Sequence, residues 1–330
     1  MKGSSVPILE GVLQSTEGVA QFSFSTLGSL AYVRGGVGAT DRVLVWVDRS
    51  GKEQPLGVPP QPYVRPSLSP DGERIALTIQ GANAEIWTYD IPNRRFNRLT
   101  FQGPSANPVW TPDGKRITFR SNQEGARALN LFWMPADGSG AAERLTASEY
   151  DQGPDSWSPD GKSLVFALLH PTNSWDLWVL PLDAGRKPYP LLQTRFNEQG
   201  GRLSPDGHWI AYMSNESGQS EVYVRPFPGP GGVWQVSTDG GSNPIWARSG
   251  ELFYLGGGGK MMAVDVETTP TFKAGTPKML FEGTLAGGFD VTPDGNRFLM
   301  IKPSDQEQAP AQIHVVLNWN EELKRRVPVK

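Results

Sequence analysis

The sequence predicts an all-β fold, a seven-bladed β-propeller built from four-stranded antiparallel blades. A turn of the form Ser/Thr-Pro-Asp-Gly recurs along the 330 residues, and an apolar strand follows each copy. Successive turns are 42 to 47 residues apart. All-β repeats with a period in the forties are typical of propeller blades.

The best-preserved copy shows why this stretch forms two strands joined by a tight turn. Pro112 sets φ near −65°, Asp113 can bond the neighbouring backbone, and Gly114 accepts a positive φ without steric cost. The residues that follow, including Ile117 and Phe119, have the β-branched and aromatic side chains that strands favour. The third residues of all seven turns, two of them eroded, are at positions 27, 71, 113, 160, 206, 249 and 294.

Seven turns predict seven blades within one domain spanning residues 1–330. The blades are expected at 19–58, 62–101, 105–147, 152–194, 198–238, 242–284 and 287–317. The seventh has no fourth strand of its own. Residues 6–13 resemble the outer strand at 277–285, so they are expected to close the ring as an N-terminal outer strand. In the tail, 318–330, Trp319, Leu323 and Val327 allow a short helix.

The composition excludes several kinds of protein. The net charge of −3 gives no reason to expect a nucleic acid or an anionic membrane as partner. The chain has no cysteine, which excludes disulfides and thiolate chemistry. Neither a membrane-spanning apolar segment nor a signal peptide is recognisable. We expect a soluble monomer and leave its compartment open.

Polar residues recur about six positions before the third residue of each turn, where the innermost strand of each blade begins. Innermost strands converge on the propeller axis, so these side chains are expected to ring one mouth of the channel. They are Gln21, Arg65, Asn107, Asp155, Asn197, Glu198, Asn243 and Asp290. Their oxygens could hold a small ligand or a hard cation such as Ca²⁺, and a merely hydrated channel is the alternative.

Several longer phrases carry a resemblance to a known family. They are VWVDR at 45–49, EVYVRPFP at 221–228, RFLMIK at 297–302 and VLNWNEELK at 316–324. With the turn motif, they resemble the TolB-like (WD-repeat-like) β-propellers, and most closely the C-terminal sensor propeller of bacterial serine/threonine protein kinases. The resemblance implies a sensing module with a protein or peptide partner, extracytoplasmic in a membrane-spanning kinase. None of the kinase motifs is present, so it implies no kinase activity.

The expected function is therefore a non-catalytic binding or sensing scaffold for a protein, a peptide or a small ligand. The alternative is a propeller hydrolase or lactonase-like enzyme with a metal in its channel. The sequence contains no G-x-S-x-G nucleophile motif, and its three histidines, His170, His208 and His314, have no spacing that suggests a shared metal. We expect no catalytic residue and no cofactor, and leave open a Ca²⁺ ion in the channel.

Overall fold

A computed structural model describes residues 12, 21–26, 28–33, 41–81, 83–123, 125, 127–172, 174–183, 185–269, 271–304 and 313–326. The chain divides into two compact units. The larger unit comprises residues 42–302, and the smaller unit comprises residues 1–41 together with residues 303–330.

The larger unit is built from six antiparallel sheets of four strands each. The strands that precede the first complete sheet are β1 (Phe22–Phe24), β2 (Leu30–Val33), β3 (Arg42–Asp48) and β4 (Glu53–Pro55). The first sheet contains β5 (Tyr63–Leu68), β6 (Arg74–Ile79), β7 (Glu85–Asp90) and β8 (Arg95–Arg98). The second contains β9 (Ser105–Trp110), β10 (Arg116–Ser121), β11 (Asn130–Pro135) and β12 (Glu143–Arg144).

Three further sheets follow in chain order. The third contains β13 (Gln152–Trp157), β14 (Ser163–His170), β15 (Ser174–Pro181) and β16 (Tyr189–Leu192). The fourth contains β17 (Glu198–Leu203), β18 (Trp209–Ser214), β19 (Glu221–Pro226) and β20 (Trp234–Gln235). The fifth region contains β21 (Gly241–Trp246), β22 (Leu252–Gly256), a 3₁₀ turn (Gly257–Gly259), β23 (Lys260–Val264), the ribbon β24 (Val266–Glu267) and β25 (Lys273–Ala274), and β26 (Lys278–Glu282). Its four-stranded sheet has the order β21-β22-β23-β26.

The sixth sheet joins the two ends of the larger unit. Its strands are β27 (Phe289–Val291) and β28 (Arg297–Pro303) from the C-terminal side and β3 and β4 from the N-terminal side. Their order is β27-β28-β3-β4, so β4 is the outer strand. Each innermost strand contacts the innermost strand of the next sheet, and β27 contacts β5. The six sheets therefore form a closed ring.

Six apolar clusters hold this ring together, one between each pair of neighbouring sheets. Between the first and second sheets, for example, Ile86 packs with Ile117 and Phe119. Between the fifth and sixth sheets, Phe253 packs with Phe298. Each sheet of the ring is covered on both faces by its two neighbours. Its central strands are therefore nearly continuous apolar runs, as in other sheets that are buried on both sides.

The repeated turns are stabilised by their own aspartates. Asp113 accepts a hydrogen bond from the Thr111 hydroxyl at 2.6 Å and another from the Lys115 N–H at 3.0 Å. The hydroxyl bond lowers the pKa of Asp113 below its usual value. The same pair of bonds recurs at Asp71, Asp160, Asp206 and Asp294. These carboxylates are engaged within their turns.

The smaller unit contains a three-stranded sheet and a helix. β1 pairs with β2, and β2 pairs with β29 (Ile313–Val316). The helix α1 (Trp319–Arg326) confirms the expectation of a short helix in the tail. It begins at Trp319, whose side chain is buried and whose N–H donates to the Gly28 carbonyl at 2.6 Å.

The all-β propeller class with four-stranded antiparallel blades is confirmed. Seven sheets of the described residues have three or four strands. Six form the ring of the larger unit, and the seventh, the sheet of β1, β2 and β29, belongs to the smaller unit.

The strands at the two chain ends are paired differently from the prediction for blades 19–58 and 287–317. β28 takes β3 as its neighbour in place of residues 312–317, and β2 takes β29. Burial gives the physical reason. β3 has four consecutive buried residues, 44–47, as a strand covered on both faces should, whereas Ile313 and Val315 of β29 are exposed.

An N-terminal outer strand does close the ring, but it is β4. The predicted closing segment, residues 6–13, lies outside the described residues apart from Val12.

Candidate functional site

The innermost strands carry a shared irregularity where the sequence predicts channel-lining residues. In five of the six sheets the pairing of the first two strands shifts register at this point. Such a β-bulge redirects the side chains of the strand. The backbone there adopts positive φ at Arg65 (54°), Asn107 (58°), Gly200 (68°) and Asn243 (50°).

All six innermost strands, or the residues next to them, line one axial cavity of about 70 Å³. Its polar lining residues include Arg65, Asn107, Asp155, Arg202 and Asn243. A volume of this size holds a few waters or the end of one side chain, and is far smaller than the roughly 300–1,000 Å³ of a pocket for a whole small molecule.

Two aspartates of the channel hydrogen-bond to the backbone of a neighbouring sheet. Asp155 accepts from the Gly201 N–H at 3.1 Å, and Asp290 accepts from the Leu68 N–H at 2.6 Å. Burial raises the pKa of Asp155 to about 6, although the positive charges of Arg202 and Arg65 oppose the shift. Burial likewise raises the pKa of Asp290. Both carboxylates therefore link adjacent blades.

The other polar side chains of the cavity are free to meet a ligand. Among the described residues, the side chains of Arg65, Asn107, Arg202 and Asn243 make no hydrogen bond and no ion pair. They come from four different sheets and reach a common space. The cavity therefore offers two guanidinium groups and two amides that have no hydrogen bond or ion pair to the described residues.

A second cavity, of about 290 Å³, lies at the turn end of the same channel. Asp290 and Arg202 line it together with Ser67, Ser156 and several turn prolines. Arg248 reaches over this end and donates to the Pro70 carbonyl at 2.5 Å. Arg202 lines both cavities, so its side chain marks the middle of the channel.

The structure brings together four of the predicted site residues, Arg65, Asn107, Asp155 and Asn243, and places Asp290 at the turn end. The other three predicted residues, Gln21, Asn197 and Glu198, do not line the cavity. The Asn197 side chain accepts from Ser174 at 3.2 Å, Glu198 is buried and accepts from the Thr194 hydroxyl, and Gln21 belongs to the smaller unit. Burial raises the pKa of Glu198.

Arg202 was missed by the sequence analysis. Arg202 lies four residues before the third residue of its turn, and Asp290 lies at the same distance before the third residue of its own turn. This equivalence with Asp290 is the signal that identifies Arg202 as a channel residue. In this sheet the position two residues earlier is Gly200, and the predicted residues are Asn197 and Glu198.

Two further properties of the described part of the chain bear on its function. No group of three or more His, Cys, Asp or Glu side chains in it is arranged to hold a metal ion. None of its helices is both long enough and apolar enough to span a membrane.

Comparison with known sequences gives partial matches. No protein-family model matches the chain. An uncharacterized protein of Agrobacterium fabrum is 24% identical over 200 residues, which cover 59% of this chain and 61% of that protein. The uncharacterized peptidase YuxL of Bacillus subtilis is 34% identical over 111 residues, 31% of this chain and 17% of its own length. The Tol-Pal system protein TolB of Anaeromyxobacter dehalogenans is 31% identical over 126 residues, 38% of this chain and 28% of its own length. The matches span less than two thirds of each relative.

Comparison with solved structures concerns the fold. A protein assigned as TolB from Agrobacterium tumefaciens superposes with a TM-score of 0.66 at 19% identity, covering 80% of this chain and 99% of that one. TolB from Acinetobacter baumannii gives a TM-score of 0.55 at 18% identity, covering 83% and 65%. A prolyl endopeptidase gives 0.50 at 14% identity, covering 90% and 50%. At such identities the likeness shows the fold alone.

Proposed function

Because the chain has a TolB-like β-propeller fold, we propose that it is a non-catalytic binding scaffold whose axial cavity receives part of a protein or peptide partner. One observation carries the proposal: polar side chains from four sheets, which make no hydrogen bond or ion pair to the residues that the structure describes, converge on a single small cavity. Propeller axes are a common place for ligands, because loops and strand ends from every blade meet there.

The size of the cavity favours a macromolecular partner. About 70 Å³ accepts only the end of a side chain or a chain terminus, so the rest of the ligand would lie on the surface around the mouth. A partner that buries such a central anchor gains most of its affinity there, while the surrounding contacts exclude water.

The biological use that we propose is sensing, as the extracytoplasmic part of a bacterial serine/threonine kinase. The support is the resemblance of the phrases at 45–49, 221–228, 297–302 and 316–324 to kinase-associated propellers. The coding sequence tests this directly. A kinase domain and a membrane helix encoded upstream in the same reading frame are expected, and a stop codon immediately upstream would contradict the idea.

A hydrolase is the second candidate function. Its support is the 34% identity over 111 residues to a bacterial peptidase. Screening the purified chain against peptide, ester and lactone substrates tests it, and turnover would favour this candidate over the scaffold.

The scaffold is tested by selecting binders from a random peptide library displayed on phage. The key variant is Asn107→Gly with Asn243→Gly, because glycine accepts the φ values of 58° and 50° and removes only the amides. The matched control is Lys162→Ala, at an exposed position in a repeated turn. Enriched peptides should bind the wild type and the control but lose at least about tenfold in affinity for the double glycine variant, a loss typical of one hot-spot group. Equal binding to all three proteins would contradict the proposal.

A further inference from the structure

The charges of the axial cavity are unequally engaged. Asp155 and Asp290 each accept a backbone N–H of a neighbouring sheet, so part of their hydrogen-bonding capacity is already used. Arg65 and Arg202 have neither a hydrogen bond nor an ion pair from their side chains to the described residues. The groups left for a ligand are therefore mainly cationic donors.

A third guanidinium, that of Arg120, is not among the residues that line the cavity, but it interacts electrostatically with Arg65. Arg120 lies near Arg65, and its Nε is buried without a partner. Burial lowers the pKa of Arg120, and the positive charge of Arg65 lowers it further, while the negative charge of Asp151 opposes the shift. Two like charges held near each other are stabilised when an anion binds between or beside them.

The backbone at Arg65 gives independent support. Equivalent positions before the other turns, where φ is positive, are occupied by Asn107, Gly200, Asn243 and Gly288, the residue types that tolerate this conformation. Arg65 is the exception, at φ 54°. Strained residues that persist in this way concentrate at binding sites.

We propose that the axial cavity recognises a carboxylate group of the partner, held by the guanidinium groups of Arg65 and Arg202 and by the amides of Asn107 and Asn243. This inference rests on the proposed function, because it names the chemical group that the scaffold binds. The carboxylate belongs to an acidic side chain or to a chain terminus.

Charge and size favour a carboxylate over the other ions. A dianionic phosphate is larger and more strongly repelled by Asp155 and Asp290, which share the channel with the two arginines. A divalent cation would be repelled by the guanidinium groups of Arg65 and Arg202, which line the cavity. Arginine matches a carboxylate through two parallel N–H donors, the geometry that suits a small, planar, singly charged group.

Binding should also depend on pH. The charged groups that act on Asp155 are Arg202 and Arg65, and Asp290 lies further along the channel. Since the pKa of Asp155 is about 6, this carboxylate is largely charged at pH 7.5 and becomes largely neutral when the pH is lowered to 5.5. Its repulsion of a bound carboxylate then disappears, so we expect affinity to rise about threefold or more over that interval.

The test is an NMR titration of the full chain, following the arginine Nε–Hε signals, which the variants Arg65→Lys and Arg202→Lys assign. The probes are N-acetyl-Gly-Glu-Gly-amide against its Gln counterpart, and N-acetyl-triglycine as free acid against its amide, at constant ionic strength. We expect the acidic probes, and not the neutral ones, to shift both signals saturably. Whichever acidic probe binds more tightly identifies the source of the carboxylate.

The variant Asp155→Asn separates this proposal from a cation site. Asparagine can still accept the Gly201 N–H, so the link between blades is retained. We expect Asp155→Asn to bind the acidic probe at pH 7.5 as tightly as the wild type does at pH 5.5. Equal shifts from acidic and neutral probes, or weaker binding by Asp155→Asn, would overturn the proposal. Phage selection can still succeed with uncharged peptides in that case, so the two proposals fail separately.

Discussion

Replacing Arg65 by asparagine should stabilise the protein while it weakens binding. Arg65 has φ 54° and precedes Pro66, and the two equivalent residues that precede a proline, Asn107 and Asn243, have nearly the same φ. The substitution therefore places at this position the residue type that the other two blades already use. Asparagine visits the left-handed region more readily than arginine does.

The expected gain follows from the cost of the left-handed conformation. For a residue with an ordinary side chain that cost is roughly 1–2 kcal/mol, and asparagine recovers part of it. The Arg65 side chain offers little to offset the gain, because it makes no hydrogen bond or ion pair with the described residues. We expect the free energy of unfolding to rise by about 1 kcal/mol, or the melting temperature by roughly 2–4 °C.

Chemical denaturation with urea measures the change, and two variants serve as controls. Arg65→Lys keeps both the charge and the strain, so it should leave the free energy of unfolding unchanged. Asn107→Arg introduces the strain at an equivalent bulge and should cost about 1 kcal/mol. If Arg65→Asn lowers stability, the arginine must contribute more to the fold than its contacts indicate, and the interpretation of Arg65 as a strained binding residue is wrong.

Three further substitutions test the repeated turn, the buried aspartate of the channel and the contact between two blades. Asp113→Ala removes two hydrogen bonds within a repeated turn and should lower the free energy of unfolding by about 1–2 kcal/mol in urea denaturation; no change would show that the turn needs no cap. The raised pKa of Asp155 means that its contribution to stability is greatest below about pH 4 and is lost as pH rises through about 6. Asp155→Asn should therefore raise the free energy of unfolding by up to about 3 kcal/mol at pH 7.5, with the difference vanishing near pH 4; a difference independent of pH would contradict this. Gly201→Ala places a methyl group 2.8 Å from the Val165 side chain and should cost about 1–3 kcal/mol by thermal melting, whereas wild-type stability would show that the interface between these blades can relax.

Local sequence signals were sufficient for the repeated parts of the fold. The turn, its capping aspartate and the apolar strand after it depend on residues a few positions apart, so one copy such as 111–119 contains the necessary information. The places of Asn107 and Asn243 in the cavity follow from a related local signal. Once a strand is known to be innermost, the place of Asn107 or Asn243 relative to its turn determines that it faces the axis.

The pairing of distant segments was not predictable in the same way. Residues 42–48 and 313–316 both read as apolar strands, and nothing local indicates that β28 lies beside the former. Glu198 illustrates a second limit. It precedes the third residue of its turn by eight positions, and that shift along the strand places it in a buried contact with Thr194 rather than in the cavity. Backbone bulges decide such cases, and bulges depend on the fit between strands.

Cross-linking tests most directly whether the axial cavity of the larger unit is the ligand site. A peptide enriched in the phage selection is synthesised with a benzophenone group, irradiated on the full chain, and its attachment points are mapped by mass spectrometry. We expect cross-links in the segments around Arg65, Asn107 and Asn243, which line one small cavity. Cross-links confined to the turn end around Pro112 and Pro159, or to the outer strands, would contradict it.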